Sequence, residues 1–141
     1  VMYGDTPFVK PETREAMIAA KADVVVLGFE PADAGRYGRL VTNGASLEQI
    51  VEFKDATDIE RAITLRNTSV LMANASPLFD LIDAVGNDNA SAEYYLPDSI
   101  GIARSHCLTA TLSSRDHTET LSSPTHPVLA RPQSHFAPRA P

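Results

Sequence analysis

The stretch ITLRNTSVLMANASPLFDLIDAVG, Ile63 to Gly86, decides the fold class. Its first half, Ile63 to Ala73, is rich in β-branched and other apolar residues and reads as a strand. The second half changes period. Ser76 can cap a helix, Pro77 suits the first helical position, and Leu78, Leu81, Ile82 and Val85 make one apolar stripe before Gly86 ends it. A strand running straight into an amphipathic helix is the building unit of an α/β domain.

Working outward, the same alternation recurs. Pro11 and Glu12 suit the first turn of a helix that runs to about Lys21, and DVVVLGFE, Asp23 to Glu30, is a β-branched run closed by Pro31 that reads as a buried strand. YGRLV (Tyr37 to Val41) and SLEQIVEF (Ser46 to Phe53) read as a hairpin, with Asn43-Gly44 supplying the positive φ of its turn. Upstream, VMYGDTPF, Val1 to Phe8, reads as the end of an apolar strand followed by a turn. Downstream, a last helix is expected from Pro97 to about Arg104.

Composition then changes. Residues 106–141 hold all four histidines and five of the ten prolines, with few large apolar residues and no period, so they read as a disordered or frameshifted tail after a partial domain at 1–105. His117, His126 and His135 recur at intervals of nine, but zinc sites show tight ligand pairs, so no metal site is read there. The 141 residues, 43% hydrophobic, are enough for one domain. A net charge of −6 argues against a nucleic-acid partner. No apolar run is long enough to span a bilayer and no secretory leader is evident, while the lone Cys107 fits a reducing compartment, so no membrane partner and a cytoplasmic location are expected.

Five segments in order resemble the sugar-nucleotide pyrophosphorylases. They are YGDTP (Tyr3 to Pro7), YGRLV, IVEFKDAT (Ile50 to Thr57), RNTSVLMA (Arg66 to Ala73) and NDNASAEYYLPD (Asn87 to Asp98). The likeness is greatest to the uridylyltransferase domain of the bifunctional bacterial enzyme that makes UDP-N-acetylglucosamine. It implies the C-terminal half of a Rossmann-like nucleotidyltransferase domain, α/β with a mixed sheet. It also implies transfer of uridylyl from UTP to N-acetylglucosamine 1-phosphate, with Mg²⁺ present and pyrophosphate expelled. Such a reaction asks a protein mainly to position two anions and neutralise the charge between them.

The resemblance assigns residues as well. Asp5 matches the metal-binding aspartate of the YGD motif; its local sequence alone would also suit an ordinary turn. Gly38 is similar to the glycine whose backbone meets the sugar nucleotide, and a bulge or tight bend is the competing reading. Glu52 and Asn67 match a glutamate and an asparagine beside the sugar hydroxyls, against a solvated strand face and an edge or bulge position. Tyr95 falls in the segment that closes the sugar pocket, where a tyrosine equally suits the core. Arg39 can face phosphate or solvent, and Lys54 reads as charge balance for Asp55 or a rim residue.

Two residues depart from the family pattern, Ser69 where glycine is usual and Pro97 where threonine is usual. A glycine-rich triphosphate loop before the chain, and a second metal-binding asparagine and a β-helix acyltransferase domain after it, are expected of the complete family protein. The chain taken alone is therefore expected to fold poorly, to give no uridylyl transfer and to lack the oligomer that the β-helix forms. The alternatives are a non-catalytic sugar-nucleotide binding module and a pyrophosphorylase for another sugar 1-phosphate.

Overall fold

The run DVVVLGFE forms the central strand β1, Val24–Phe29, buried at all six positions. The structure is a computed structural model that describes residues 9–31 and 35–114; Asp5 and the rest of the opening segment lie outside the described residues, as do residues 115–141. Burial on both faces follows from what covers them. Val24 and Val26 point into a core with Leu40, Leu47, Ile50, Leu71, Leu81 and Ile100, whereas Val25 and Leu27 point the other way, onto Met17 and Val70. Each such buried aliphatic side chain contributes roughly 1.5–3 kcal/mol relative to an exposed one.

Met17 and Thr13 are the buried positions of α1, Pro11–Ala19, four residues apart on one helical face. Pro11 opens that helix, and Glu12 meets the positive end of its dipole. Strands β2, Arg39–Asn43, and β3, Ser46–Val51, form the expected hairpin. Positive φ is needed only at Gly44, at +60°, as in a two-residue turn whose first central residue alone is left-handed; Asn43 stays in the strand.

A short helix, α2, Asp58–Arg61, follows the hairpin. Thr57 and Glu60 form a capping box there: the Thr57 hydroxyl accepts from the Glu60 backbone N–H while the Glu60 carboxylate accepts from that of Thr57.

Strand β4, Arg66–Ala73, pairs antiparallel with β1 and leads into α3, Ala75–Asp83, as the alternation predicts. Asn74, not Ser76, occupies the N-cap position, and it makes no side-chain cap bond; Ser76 and Pro77 lie inside the first turn. Only part of the predicted stripe is used. Leu81 is buried, Leu78 packs on the core, Ile82 is 39% exposed and Val85 lies past the helix end.

The expected last helix is a 3-10 turn, Leu96–Asp98, running into α4, Ser99–Ser105. The fold does not stop at residue 105. Cys107 takes a left-handed φ of 59°, the Leu108 N–H donates to Ala103 O at 2.9 Å and the Cys107 N–H to Arg104 O at 3.1 Å, which is the Schellman arrangement. The chain turns there into β5, Ala110–Ser114, parallel to β1. Asp23 locks the start of this pairing, its Oδ2 accepting from the Thr109 N–H at 2.8 Å and from Thr109 Oγ1 at 2.6 Å.

The strands neighbour one another in the order β1, β4, β2, β3, β5 and close back on β1. Two of the junctions are single residue pairs, Arg39 with Arg66 and Ser46 with Thr111. The sheet is mixed, since β1 runs antiparallel to β4 and parallel to β5. Among the described residues no helix is long and apolar enough to cross a membrane.

Candidate functional site

Three of the residues singled out in the sequence meet where β2, β3 and β4 converge. Gly38, just before β2, accepts the Asn67 backbone N–H at 2.9 Å through its carbonyl, which ties it to the start of β4. The Glu52 carboxylate, just past the end of β3, packs against the open side of Gly38: a Cβ there would stand 3.0 Å from Glu52 Oε1 and 3.2 Å from Ile50 Cγ2. Glycine is therefore favoured here by the close approach of a side chain rather than by a positive φ.

Asn67 stands at a true irregularity. Between the pairs Val26 with Leu71 and Gly28 with Asn67, β4 carries more residues than β1, so the strand bulges. Ser69 takes φ +65° in the bulge and its N–H donates to Asn67 Oδ1 at 3.0 Å, while the Thr68 hydroxyl donates to Leu27 O at 2.7 Å. The departure from glycine at residue 69 thus falls on a left-handed position. With Oδ1 occupied, the Asn67 amide keeps its N–H donors, which have no partner among the described residues.

Half-buried Tyr95 lines a cleft of about 240 Å³ together with Glu52, Arg36, Phe53, Lys54 and Glu93. Asn67 lines a neighbouring crevice of about 10 Å³, room for one water-sized sphere, with Ile50, Ser69, Leu96 and Pro97. The segment Tyr95 to Pro97 borders both openings. A larger hollow, about 350 Å³, lies between α1 and the edge of β1 and β4, and none of the expected site residues reaches it.

The electrostatics of the cleft centre on Glu52. Burial, followed by the negative charges of Asp98 and Asp55, pushes its carboxyl above the ordinary value, with Arg39 pulling weakly the other way. Asp98 is raised too, by burial and then by Asp55. Among the described residues no cluster of His, Cys, Asp and Glu could hold a metal ion.

Arg39 does not face solvent. It is buried, its guanidinium donates to the carbonyls of Tyr37, Gly35 and Arg61, and it lies 5.0 Å from the Phe53 ring centroid. Lys54 does not pair with Asp55: it donates to Ser91 Oγ at 2.9 Å. Asp55 instead accepts the Ala90 N–H at 2.8 Å. Both residues thereby hold the loop that ends in Tyr95, a role the sequence did not signal.

Comparison with solved structures agrees on the fold. A nucleoside-diphosphate-sugar pyrophosphorylase from Vibrio cholerae superposes with a TM-score of 0.62 at 12% identity, covering 88% of this chain and 49% of that one. A Bacillus anthracis protein described as a glucose-1-phosphate thymidylyltransferase superposes at 0.57 with 16% identity, covering 88% and 47%. No family model matches the chain. The chain therefore shares its fold with about half of each of these two nucleotidyltransferase structures.

Sequence narrows this further. The chain is 53% identical to the bifunctional protein GlmU of Roseobacter denitrificans and 54% identical to that of Cereibacter sphaeroides, each over 142 aligned positions covering 99% of this chain. It is thus similar to the GlmU proteins along nearly its whole length, and it spans about a third of the length of these relatives, 32% and 31%. The matched stretch takes in the residues after 105, which composition alone sets apart.

Proposed function

We propose that this chain forms the sugar side of a nucleotidyltransferase site that transfers uridylyl from UTP to N-acetylglucosamine 1-phosphate, giving UDP-N-acetylglucosamine and pyrophosphate. The observation that carries the reading is the convergence of Gly38, Glu52 and Asn67, three residues distant in sequence, with Tyr95 lining the same cleft as Glu52. In this reading the Glu52 carboxylate accepts from sugar hydroxyls and the Asn67 amide donates to them. The missing side chain at Gly38 lets Glu52 lie flat against the backbone. Tyr95 supplies an apolar wall with a polar tip. A site built to pair hydroxyls rejects analogues that lack them, because its own polar groups are then left unpaired.

The group supplied by Mg²⁺ would be charge neutralisation between the phosphates. Its one candidate ligand in this chain, Asp5, lies outside the described residues. A cytoplasmic site of action accompanies this reading.

The test is calorimetric titration of the 141-residue chain with UDP-N-acetylglucosamine, UDP-glucose and UDP, alongside an assay for pyrophosphate released from UTP and N-acetylglucosamine 1-phosphate. The expected result is preference for the N-acetylglucosamine compound. Equal affinity for all three would remove the sugar-side reading, and tighter UDP-glucose binding would favour a pyrophosphorylase for another sugar. Sugar-nucleotide binding to the longer family protein without pyrophosphate release would point to a non-catalytic module.

A further inference from the structure

We infer that Asp55 is a positioning residue for the sugar pocket, acting through the loop that carries Tyr95 and without lining the cleft itself. The inference rests on the sugar-side reading above. Three observations join to make it. Glu52 O accepts the N–H groups of both Asp55 and Ala56 at 3.0 Å, so the exit of β3 folds into a tight turn that aims residues 54 and 55 at the neighbouring loop. From that turn, Asp55 Oδ1 accepts the Ala90 N–H at 2.8 Å and Lys54 Nζ donates to Ser91 Oγ at 2.9 Å. These two bonds reach adjacent residues of a loop 35 and 37 positions further along the chain.

The loop can transmit what the latch imposes, because it has its own internal frame. Asn89 Oδ1 accepts from the N–H groups of Ser91 and Glu93 at 3.1 and 3.2 Å, and its Nδ2 donates to Glu93 O at 2.6 Å. Ala92 is held at φ +53°, a conformation that alanine adopts only under constraint. The stretch from Asn89 to Glu93 therefore moves as a unit. Two residues beyond it stands Tyr95, in the same cleft as Glu52. One turn of backbone thus carries the carboxylate at residue 52 and, at residue 55, the anchor of the loop that brings Tyr95 to the same cleft, and cutting the anchor lets Tyr95 drift relative to the carboxylate.

Asp55 also acts on Glu52 by charge, and the test has to separate the two roles. Asp55→Asn removes the charge and keeps an acceptor oxygen for Ala90, whereas Asp55→Ala removes both. Two readouts are taken on the full 141-residue chain: amide hydrogen exchange at residues 90–93 without ligand, and affinity for UDP-N-acetylglucosamine. In Asp55→Ala, exchange at Ala90, Ser91 and Glu93 is expected to rise and affinity to fall by about 5- to 20-fold, less than a ligand's own charge-assisted bond is worth because residue 55 acts through the loop. Asp55→Asn is expected to restore both to within about twofold of the starting chain, since the acceptor geometry survives.

Equal losses in the two variants would overturn the inference in favour of a charge effect. Faster exchange with unchanged affinity would overturn it in favour of a merely structural bond. If the unsubstituted chain shows no preference for the N-acetylglucosamine compound, the sugar-side reading itself fails and this role falls with it.

Discussion

Placing a methyl group at residue 38 should separate affinity from stability. In Gly38→Ala the new carbon would sit 3.0 Å from Glu52 Oε1 and 3.2 Å from Ile50 Cγ2, both closer than comfortable contact, and 3.4 Å from Glu52 Cδ. Ile50 is buried in the core and can give by only a few tenths of an ångström, whereas Oε1 is the free end of a flexible side chain. The carboxylate is therefore what moves. Overpacking of this kind costs typically 1–3 kcal/mol, here about 1 because the clash is relieved by a rotation; the reduced freedom of the unfolded chain returns about 0.4–1 kcal/mol.

Net stability should then change by less than about 1 kcal/mol while a ligand held by Glu52 loses one charge-assisted hydrogen bond, worth about 1.5–3 kcal/mol or roughly ten- to a hundredfold in Kd. Denaturant titration and calorimetric affinity for UDP-N-acetylglucosamine read the two effects separately. The double variant Gly38→Ala with Glu52→Asp, one methylene shorter, should recover packing without recovering affinity. A Gly38→Ala chain that binds as tightly as the original would refute the reasoning, because the displaced carboxylate would then be irrelevant to the ligand.

Ser69→Gly and Cys107→Gly should each raise unfolding free energy by about 0.5–1 kcal/mol in denaturant titration, since both residues hold left-handed φ, +65° and +59°, that glycine adopts without a Cβ penalty. For Glu52, raised by burial and by Asp98 and Asp55, the folded state holds its proton to higher pH than the unfolded chain. Its contribution to stability therefore falls as pH rises from the ordinary 4.5 through the raised folded value. Sugar affinity should run the opposite way, failing on acidification at a pH above 4.5, as carboxylate is lost; an affinity midpoint at or below that value would contradict the assignment. Asp23 has the reverse linkage. Its pKa is lowered below 3.8 by the bonds from Thr109, so the stability it gives is present above that value and lost as pH falls through the lowered one. Asp23→Ala should abolish this acid-sensitive component and speed amide exchange along β5, seen by comparing acid titrations of the two chains.

How far the sequence reached depended on which residues stood at the punctuation points. Helix α1, the hairpin and β1 were legible because Pro11, Gly44 and the run of valines are each the residue type that their position demands. The fold past residue 105 was not, because Cys107 occupies the left-handed helix terminus where glycine is the usual signal, so the turn into β5 carried no mark. Helix α2 was overlooked although Thr57 and Glu60 have the capping-box spacing that could have revealed it.

Within the candidate site, the family resemblance suggested Gly38, Glu52, Asn67 and Tyr95 one by one. Their meeting, and the reason for Gly38, needed the pairing of three strands. Arg39 shows the limit most clearly: a charged residue in a strand gives no sequence sign that three backbone carbonyls will bury it. Nor could sequence separation of 35 residues announce that Asp55 meets Ala90.

The sugar-side account is tested most directly by chemical-shift mapping of the isotope-labelled 141-residue chain during titration with UDP-N-acetylglucosamine. The account predicts saturable shifts concentrated at Gly38, Glu52, Asn67 and Tyr95, with little change along α1 and its 350 Å³ hollow. Saturable shifts centred on Met17, Lys21 and Met72, with the four residues unmoved, would contradict it.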